Sequence, residues 1–312
     1  MLRLGNVFEK VKKRITNGST PPGFKIRKDD ARALDPYVVH LLCDIGRERP
    51  LNDPHATLRL LRQSFVPASF DVVEVKDAGK RDTPALRRFS RLIEAMRNLP
   101  PVPEATARRC AIVAESYLGN YEAFPGRDVD VAWMFKRVSS SMLTGRVMAT
   151  AVRLMRPDRC LEIGSAYGFS ASVIASALER VSPQGRLLTI EMGEIQHRLS
   201  SAVLASQFGD RVDCRKGDAR EILAAAAAEM APVGFVFHDG GHAEENYVGD
   251  FGRMVDALAP GGVVMFDDIR WRDRDKPDHD PRCYEGWRRV VDHPRVERAI
   301  EVGHKLGLLL VS

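Results

Sequence analysis

The chain has 312 residues, of which 44% are hydrophobic, so it can bury a sizeable core and exceeds the usual length of one domain. Its 47 Lys and Arg are nearly matched by 42 Asp and Glu, and the net charge of +5 allows a nucleic-acid partner without implying one. Five scattered cysteines, the lack of an apolar leader and the lack of any apolar run long enough to span a membrane predict a reduced, cytoplasmic protein.

The first 130 residues carry no recognisable binding or catalytic motif. Capping residues followed by proline, and the apolar patterns after them, predict three helices and one strand here: helices over 54–65, 84–98 and 106–121 and a strand over 70–75. The prolines within 99–103 predict a linker. We therefore expect a mainly helical N-terminal extension, 1–130, that serves as a lid, a part of the substrate pocket or a dimer contact, and a second domain over 131–312.

After residue 137, short apolar runs alternate with helical patterns, which indicates repeated strand–helix units and a parallel sheet. The predicted strands cover 160–163, 187–191, 212–215, 235–238 and 263–266. The predicted helices cover 142–155, 169–181, 195–208, 219–230 and 244–258, with one more near 284–291. Two last strands are predicted over 296–302 and 306–311. The expected fold class is α/β: a Rossmann-like, doubly wound sheet that is mostly parallel and ends in an antiparallel hairpin.

The segment CLEIGSAYGFS, residues 160–170, places an acid and a glycine-punctuated turn between a strand and a helix. Small residues let a ligand approach the backbone, and the helix N-terminus offers N–H groups to a carboxylate. The spacing differs from the G-x-G-x-x-G of dinucleotide sites and resembles motif I of class I S-adenosylmethionine (SAM) methyltransferases. A tight turn without a ligand is the alternative. The residues predicted to contact SAM here are Glu162, Gly164, Ser165, Gly168 and Ser170.

Two later segments fit the rest of such a cofactor. Glu191 and Met192 end the second strand of this unit, where a carboxylate can accept hydrogen bonds from both ribose hydroxyls. Asp218 and Ala219 follow the third strand and fit a turn in contact with adenine. Asp218 can equally be the N-cap of the next helix, and both roles can hold at once.

By order and spacing, the chain from Leu143 onward resembles the cation-dependent O-methyltransferases typified by the catechol and caffeoyl-CoA O-methyltransferases. The segments that carry the resemblance are LTGR, LEIGSAYGFSA, LLTIEM, KGDAREIL, FHDGGH, LAPGGVVMFDDI and KLGLLLV. It implies that Asp239, Asp267 and Asp268 bind one divalent cation, with Mg²⁺ expected. The residue types agree, because acids at the ends of adjacent parallel strands share one edge of the sheet and repel each other without a cation. The alternative is that these acids cap the following helices or contact SAM and substrate.

The implied reaction is an in-line displacement, in which the oxygen of an acceptor hydroxyl takes the methyl group of SAM. Catalysis then depends on aligning that oxygen with the methyl group and on making the oxygen more anionic. In the catechol enzymes a lysine base lies three residues after the first metal aspartate. That position here is His242, so Asp239 and His242 are the predicted catalytic residues. His242 can instead support an aspartate or begin the next helix. The D-G-x-H turn also resembles bacterial SAM methyltransferases of secondary metabolism and sugar modification.

The charged loop after Ile269 contains Trp271 and leads to Tyr284, and both are expected to line a substrate pocket. We expect a small, hydroxylated, natural-product-like substrate, no membrane and no nucleic acid, and a homodimer is allowed. Four alternatives stay open: a metal-independent methyltransferase, a hydroxylase-like relative that uses the same fold otherwise, an RNA-associated methyltransferase that uses the basic N-terminus, and a protein that binds SAM without catalysis. The lack of an N-P-P-(Y/F) motif after the fourth strand counts against modification of RNA.

Overall fold

The computed structural model describes residues 71–77, 79, 81–97, 99, 142–166, 168–271 and 282–312. The strands are Val72–Lys76 (β1), Arg159–Ile163 (β2), Arg186–Glu191 (β3), Val212–Lys216 (β4), Val233–His238 (β5), Leu258–Phe266 (β6), Val296–Val302 (β7) and Leu306–Val311 (β8). The helices are Pro84–Arg97 (α1), Met142–Met155 (α2), Phe169–Val181 (α3), Glu194–Phe208 (α4), Ala219–Met230 (α5), Glu244–Met254 (α6) and Cys283–Val291 (α7). The helices predicted over 54–65 and 106–121 lie outside the described residues.

All eight strands form one sheet in the order β1-β7-β8-β6-β5-β2-β3-β4. The five strands from β2 to β6 pair in parallel, and β7 and β8 form the antiparallel hairpin at the end of the chain. The predicted Rossmann-like sheet with its terminal hairpin is therefore confirmed. β1 adds an antiparallel edge strand beside β7, a pairing that the sequence did not predict.

The sheet is covered by helices on both faces. On β8, for example, Leu308 and Leu310 pack with the core of helices α1 to α4, while Leu309 and Val311 pack with the core of α5 to α7. Because both faces of the inner strands β5 and β8 are buried, these strands are nearly continuous apolar runs, whereas the edge strands β1 and β4 are partly exposed. Among the described residues, no helix combines the length and the apolar character that crossing a bilayer requires.

The described part of the N-terminal extension packs directly on this sheet. Thr83 Oγ1 accepts a hydrogen bond from the Leu86 N–H at 3.1 Å, which confirms that α1 begins with a capping threonine and a proline. The guanidinium of Arg298 on β7 donates to both carboxylate oxygens of Glu74 on β1, at 3.0 and 2.9 Å. The division into 1–130 and 131–312 stays a prediction, because residues 101–141 are outside the described part of the chain.

One predicted boundary was wrong. The helix expected over 244–258 ends at Met254, a short 3₁₀ turn follows, and β6 begins at Leu258. The segment Pro260-Gly261-Gly262 by itself predicts a turn between a helix and a strand. In the structure it lies inside the strand, because Leu258 already pairs with Val233 of β5. Pairing with the neighbouring strand outweighs the local signal.

Candidate active site

The predicted site residues gather where strands β2 to β6 end, at one edge of the sheet that we call the rim. In open parallel sheets this edge is the usual place for ligands, since the chain turns away from the sheet there and leaves a crevice. The residues at the rim fall into two neighbouring groups: a glycine turn with its two glutamates, and a cluster of acids with one histidine.

Gly164 joins these two groups. It follows β2 with a φ of +87°, and its N–H donates to the carbonyl of Ile190 at 2.9 Å. A Cβ at this position would lie 2.2 Å from the carbonyl oxygen of Asp239, so only glycine fits. Gly168 also has a φ of +87° and immediately precedes α3, where a Cβ would lie 3.2 Å from that of Ser200. The turn therefore packs against the end of β5 at Gly164 and against α4 at Gly168.

Glu191 holds the glycine turn against the end of β3. Its Oε2 accepts a hydrogen bond from the Ala166 N–H at 2.7 Å, and its Oε1 accepts one from the Gly193 N–H at 2.6 Å. Each carboxylate oxygen can accept a further hydrogen bond, so the side chain can still receive two ligand hydroxyls. Met192, the next residue, is 67% exposed, and its contact with a ligand stays a prediction.

Glu162 lies beneath the turn and has no exposed surface. Thr189 Oγ1 donates to its Oε2 at 2.5 Å, whereas its Oε1 and the nearby Ser165 Oγ have no hydrogen-bond partner. Burial raises the pKa of Glu162 to about 7, although Ser170 and Thr189 act in the opposite direction. Buried polar oxygens without partners are uncommon, and these two fit a site that a polar ligand completes.

Glu162→Gln is expected to stabilise the protein relative to wild type at pH 8 but not at pH 5. The pKa of Glu162 is raised from 4.5 to about 7 in the fold, so the stability that its protonated form contributes is present below pH 4.5 and is lost as the pH rises through 7. Glutamine does not ionise, so the variant's advantage should grow by up to about 3 kcal/mol between pH 5 and pH 8. Urea unfolding at both pH values measures it, with the exposed Glu221→Gln as control. A difference that is independent of pH would contradict this account.

Asp218 caps α5, as one of its two predicted roles requires. Its Oδ1 accepts a hydrogen bond from the Arg220 N–H at 2.9 Å, and its carboxylate pairs with the Arg220 guanidinium. Hydrogen bonds from Arg220 lower the pKa of Asp218. Contact of Asp218 and Ala219 with adenine stays a prediction.

The second group contains Asp239 after β5, His242 in the turn that follows, and Asp268 after β6. One possible ligand atom from each of them lies within 4.8 Å of the others. His242 Nε2 is 3.7 Å from Asp239 Oδ1 and 3.6 Å from Asp268 Oδ2, and this buried nitrogen has no hydrogen-bond partner. Burial lowers the pKa of His242, but the two carboxylates outweigh it and raise the pKa to about 9.

Asp267, the other predicted metal ligand, lies in a different environment. It is 2% exposed, and its Oδ1 is paired with Lys305 Nζ and also accepts the Asp268 N–H at 2.8 Å. Lys305 Nζ is also 2.9 Å from Asp268 Oδ1, and burial lowers the pKa of Lys305 less than the two carboxylates raise it, to about 12. We did not predict Lys305 as a site residue. The available signal is its position before β8, because β8 pairs with β6 and the acids follow β6.

Of the two aromatic residues predicted to line a substrate pocket, Trp271 contacts His242 and Tyr284 contacts Arg270. The indole of Trp271 stacks on the imidazole of His242 with ring centroids 5.1 Å apart, and the Arg270 guanidinium lies 3.8 Å above the ring of Tyr284. His238 is buried and contacts Asp250 at 3.0 Å, so it does not join the cluster. Residues 272–281 of the charged loop are outside the described part of the chain.

Comparison with known proteins shows what the chain is similar to. Residues 161–269 match the family described as a methyltransferase domain. Caffeoyl-CoA O-methyltransferase 1 of Arabidopsis thaliana is 24% identical over 149 residues, which cover 46% of this chain and 56% of that protein. A probable O-methyltransferase of Mycobacterium tuberculosis is 30% identical over 135 residues, which cover 40% of this chain and 55% of that protein. The chain thus spans little more than half the length of these relatives.

Solved structures are similar over a longer stretch. An O-methyltransferase from Bacillus cereus in complex with SAH (S-adenosylhomocysteine) superposes with a TM-score of 0.50 at 22% identity, over 65% of this chain and 91% of that one. A SAH-bound methyltransferase from Podospora anserina gives 0.51 at 19% identity, over 64% and 88%. At these identities the likeness establishes the fold, a Rossmann-like sheet of the methyltransferase type.

Proposed function

We propose that this chain, which carries a domain of the class I, cation-dependent O-methyltransferase-like family, moves the methyl group of SAM to a hydroxyl of a small molecule. The observation that carries the proposal is the contact between Gly164 and Asp239, where a Cβ would lie 2.2 Å from the Asp239 carbonyl oxygen. It sets the glycine turn directly beside the cluster of acids. A donor bound on the turn and an acceptor bound at the acids would therefore face each other.

The residues of the glycine turn and those after the next two strands would contact different parts of SAM. Gly164, Ser165, Gly168 and Ser170 would approach the methionine part, for which the N-terminus of α3 offers backbone N–H groups. Glu191 would accept hydrogen bonds from the ribose hydroxyls, with Met192 and the turn at Asp218 and Ala219 beside the adenine. The unpartnered oxygens of Glu162 and Ser165 support a polar ligand here.

Asp239 and Asp268 would hold a divalent cation, with Mg²⁺ as the expected ion. The observations that support such a site are the short distances within the cluster and the lack of a hydrogen bond at the buried Nε2 atom of His242. When bound, a divalent cation lowers the pKa of an acceptor hydroxyl and orients it. Trp271 and His242 would form a flat wall beside that hydroxyl. That His242 takes up the hydroxyl proton stays a prediction from the sequence, and it competes with a role of the same imidazole as a cation ligand.

The experiment is transfer of a radiolabelled methyl group from SAM to a panel of hydroxylated phenols, phenylpropanoids and sugars. We expect a labelled ether from at least one member with Mg²⁺ present, loss of product with EDTA, and recovery with excess Mg²⁺. Transfer that is unaffected by EDTA would instead support a metal-independent methyltransferase. Binding of SAM without transfer to any hydroxyl would support a protein that has lost catalysis.

Glu191→Ala is expected to weaken SAM binding by about ten- to a hundredfold, because each hydrogen bond to a charged group contributes on the order of 1.5–3 kcal/mol. Calorimetric titration with SAM measures the change. Glu194→Ala is the matched control: it removes a nearby acid whose side chain is 70% exposed and contacts Lys216. If both variants bind SAM like wild type, Glu191 does not contact the ribose.

A further inference from the structure

The cation site that rests on the proposed function has an unexpected third member, His242. Ligand atoms about 2.1 Å from one ion lie between about 3 Å apart at right angles and about 4.2 Å apart when opposite. The distances from His242 Nε2 to Asp239 Oδ1 and Asp268 Oδ2, 3.7 and 3.6 Å, fall within this range. They are longer than a hydrogen bond of about 2.7–3.2 Å, so the nitrogen faces the two oxygens without bonding to either.

The imidazole is also held in place from outside the cluster. The indole of Trp271 stacks on one face of the ring, at an angle of 26° between the planes. The thiol of Cys283 at the start of α7 donates to the carbonyl oxygen of His242 at 2.6 Å. Ring and backbone are thus both fixed, as expected for a side chain that serves as a ligand.

Asp267 is less available for a cation than its position after β6 suggests. Its Oδ1 has two donors, Lys305 Nζ and the Asp268 N–H, and Thr144 Oγ1 lies 3.4 Å from its Oδ2. The same ammonium contacts Asp268 Oδ1 at 2.9 Å, which leaves Asp268 Oδ2 as the oxygen nearest His242. Lys305 therefore ties the two acids together and orients Asp268.

We propose that the three protein ligands of the cation are Asp239, Asp268 and the Nε2 atom of His242, and that Asp267 with Lys305 positions Asp268 without binding the cation. This assignment departs from the sequence prediction in two respects: Asp267 is a positioning residue, and His242 is a ligand and not the base. An imidazole ligand favours transition metals over Mg²⁺, while carboxylates also suit Mn²⁺, so Mn²⁺ is a suitable probe for this mixed set.

Electron spin echo spectroscopy of the full chain loaded with Mn²⁺ tests the ligand directly. In wild type, the nitrogen nucleus of a bound imidazole is expected to modulate the echo of Mn²⁺. This modulation is expected to disappear in His242→Ala. The Mn²⁺ dissociation constant should rise at least about tenfold in His242→Ala and in Asp268→Asn, but less than about threefold in Asp267→Asn. Thermal unfolding of each variant shows whether it is folded, and the wild-type spectrum decides the question if a variant is not.

Two outcomes would overturn the assignment. Wild type without nitrogen modulation, together with an Asp267→Asn variant that binds Mn²⁺ at least tenfold more weakly, would make Asp267 the ligand and leave His242 as the base. A wild-type chain that does not bind Mn²⁺ would remove the cation site altogether. Neither readout depends on a methyl acceptor, so failure to methylate any hydroxyl would contradict the proposed function without affecting this result.

Discussion

Gly164→Ala should abolish SAM binding and destabilise the protein by at least about 3 kcal/mol. The added methyl group would lie 2.2 Å from the carbonyl oxygen of Asp239 and 2.7 Å from its carbonyl carbon, and these backbone atoms are fixed by β5. The Asp239 N–H donates to the carbonyl of Ile163 at 2.9 Å, so moving Asp239 away would break a contact between β2 and β5. A φ of +87° adds roughly 1–3 kcal/mol of strain for alanine.

Urea unfolding and calorimetric titration with SAM measure the two effects. Gly79→Ala is the matched control, because Gly79 also has a positive φ, +69°, but nothing lies within 4 Å of its Cβ position. It should show backbone strain alone, about 1 kcal/mol, with unchanged SAM affinity. Equal losses of stability and of SAM affinity in the two variants would mean that the contact between the glycine turn and the end of β5 contributes to neither.

Asp239→Asn should lower the rate of methyl transfer by about a thousandfold, equivalent to about 4 kcal/mol of transition-state stabilisation. The substitution removes the charge of a proposed cation ligand but keeps the size of the side chain, so the fold and the SAM site should be intact. Steady-state kinetics with labelled SAM measures the rate, and calorimetry measures SAM affinity, which should stay within about threefold of wild type.

Asp210→Asn serves as the control for this variant, since Asp210 is an exposed acid in the 3₁₀ turn before β4, away from the rim. It should transfer methyl groups at the wild-type rate. Wild-type activity in Asp239→Asn would exclude the Asp239 carboxylate from catalysis and would favour a metal-independent reaction.

The unit from β2 to α3 could be predicted from the sequence because its signals are local. An apolar run, an acid and small residues at fixed spacing determine the strand, the turn and the helix. The contact that excludes a Cβ at Gly164 is not local, because it is made with Asp239 after β5. The capping role of Asp218 was predicted in the same way, since N-cap and helix are adjacent in the chain.

Features that depend on distant parts of the chain could not be predicted. The pairing of β1 with β7 joins residues such as Val72 and Val302, and no local pattern specifies that partner. To predict the contact of Lys305 with Asp267, one would have to know that β8 lies beside β6. The sequence also placed Asp267 among the cation ligands without the information that Lys305 contacts it, and that ligand role stays a prediction.

Calorimetric titration of the full chain with SAM, and with SAH as competitor, tests the central claim most directly, because it needs no knowledge of the acceptor. The account predicts one SAM molecule per chain with a dissociation constant on the order of 1–100 μM, displacement by SAH, and marked weakening in Glu191→Ala. If the folded chain binds neither molecule at millimolar concentration, the glycine turn at the end of β2 is not a SAM site and the proposed function is wrong.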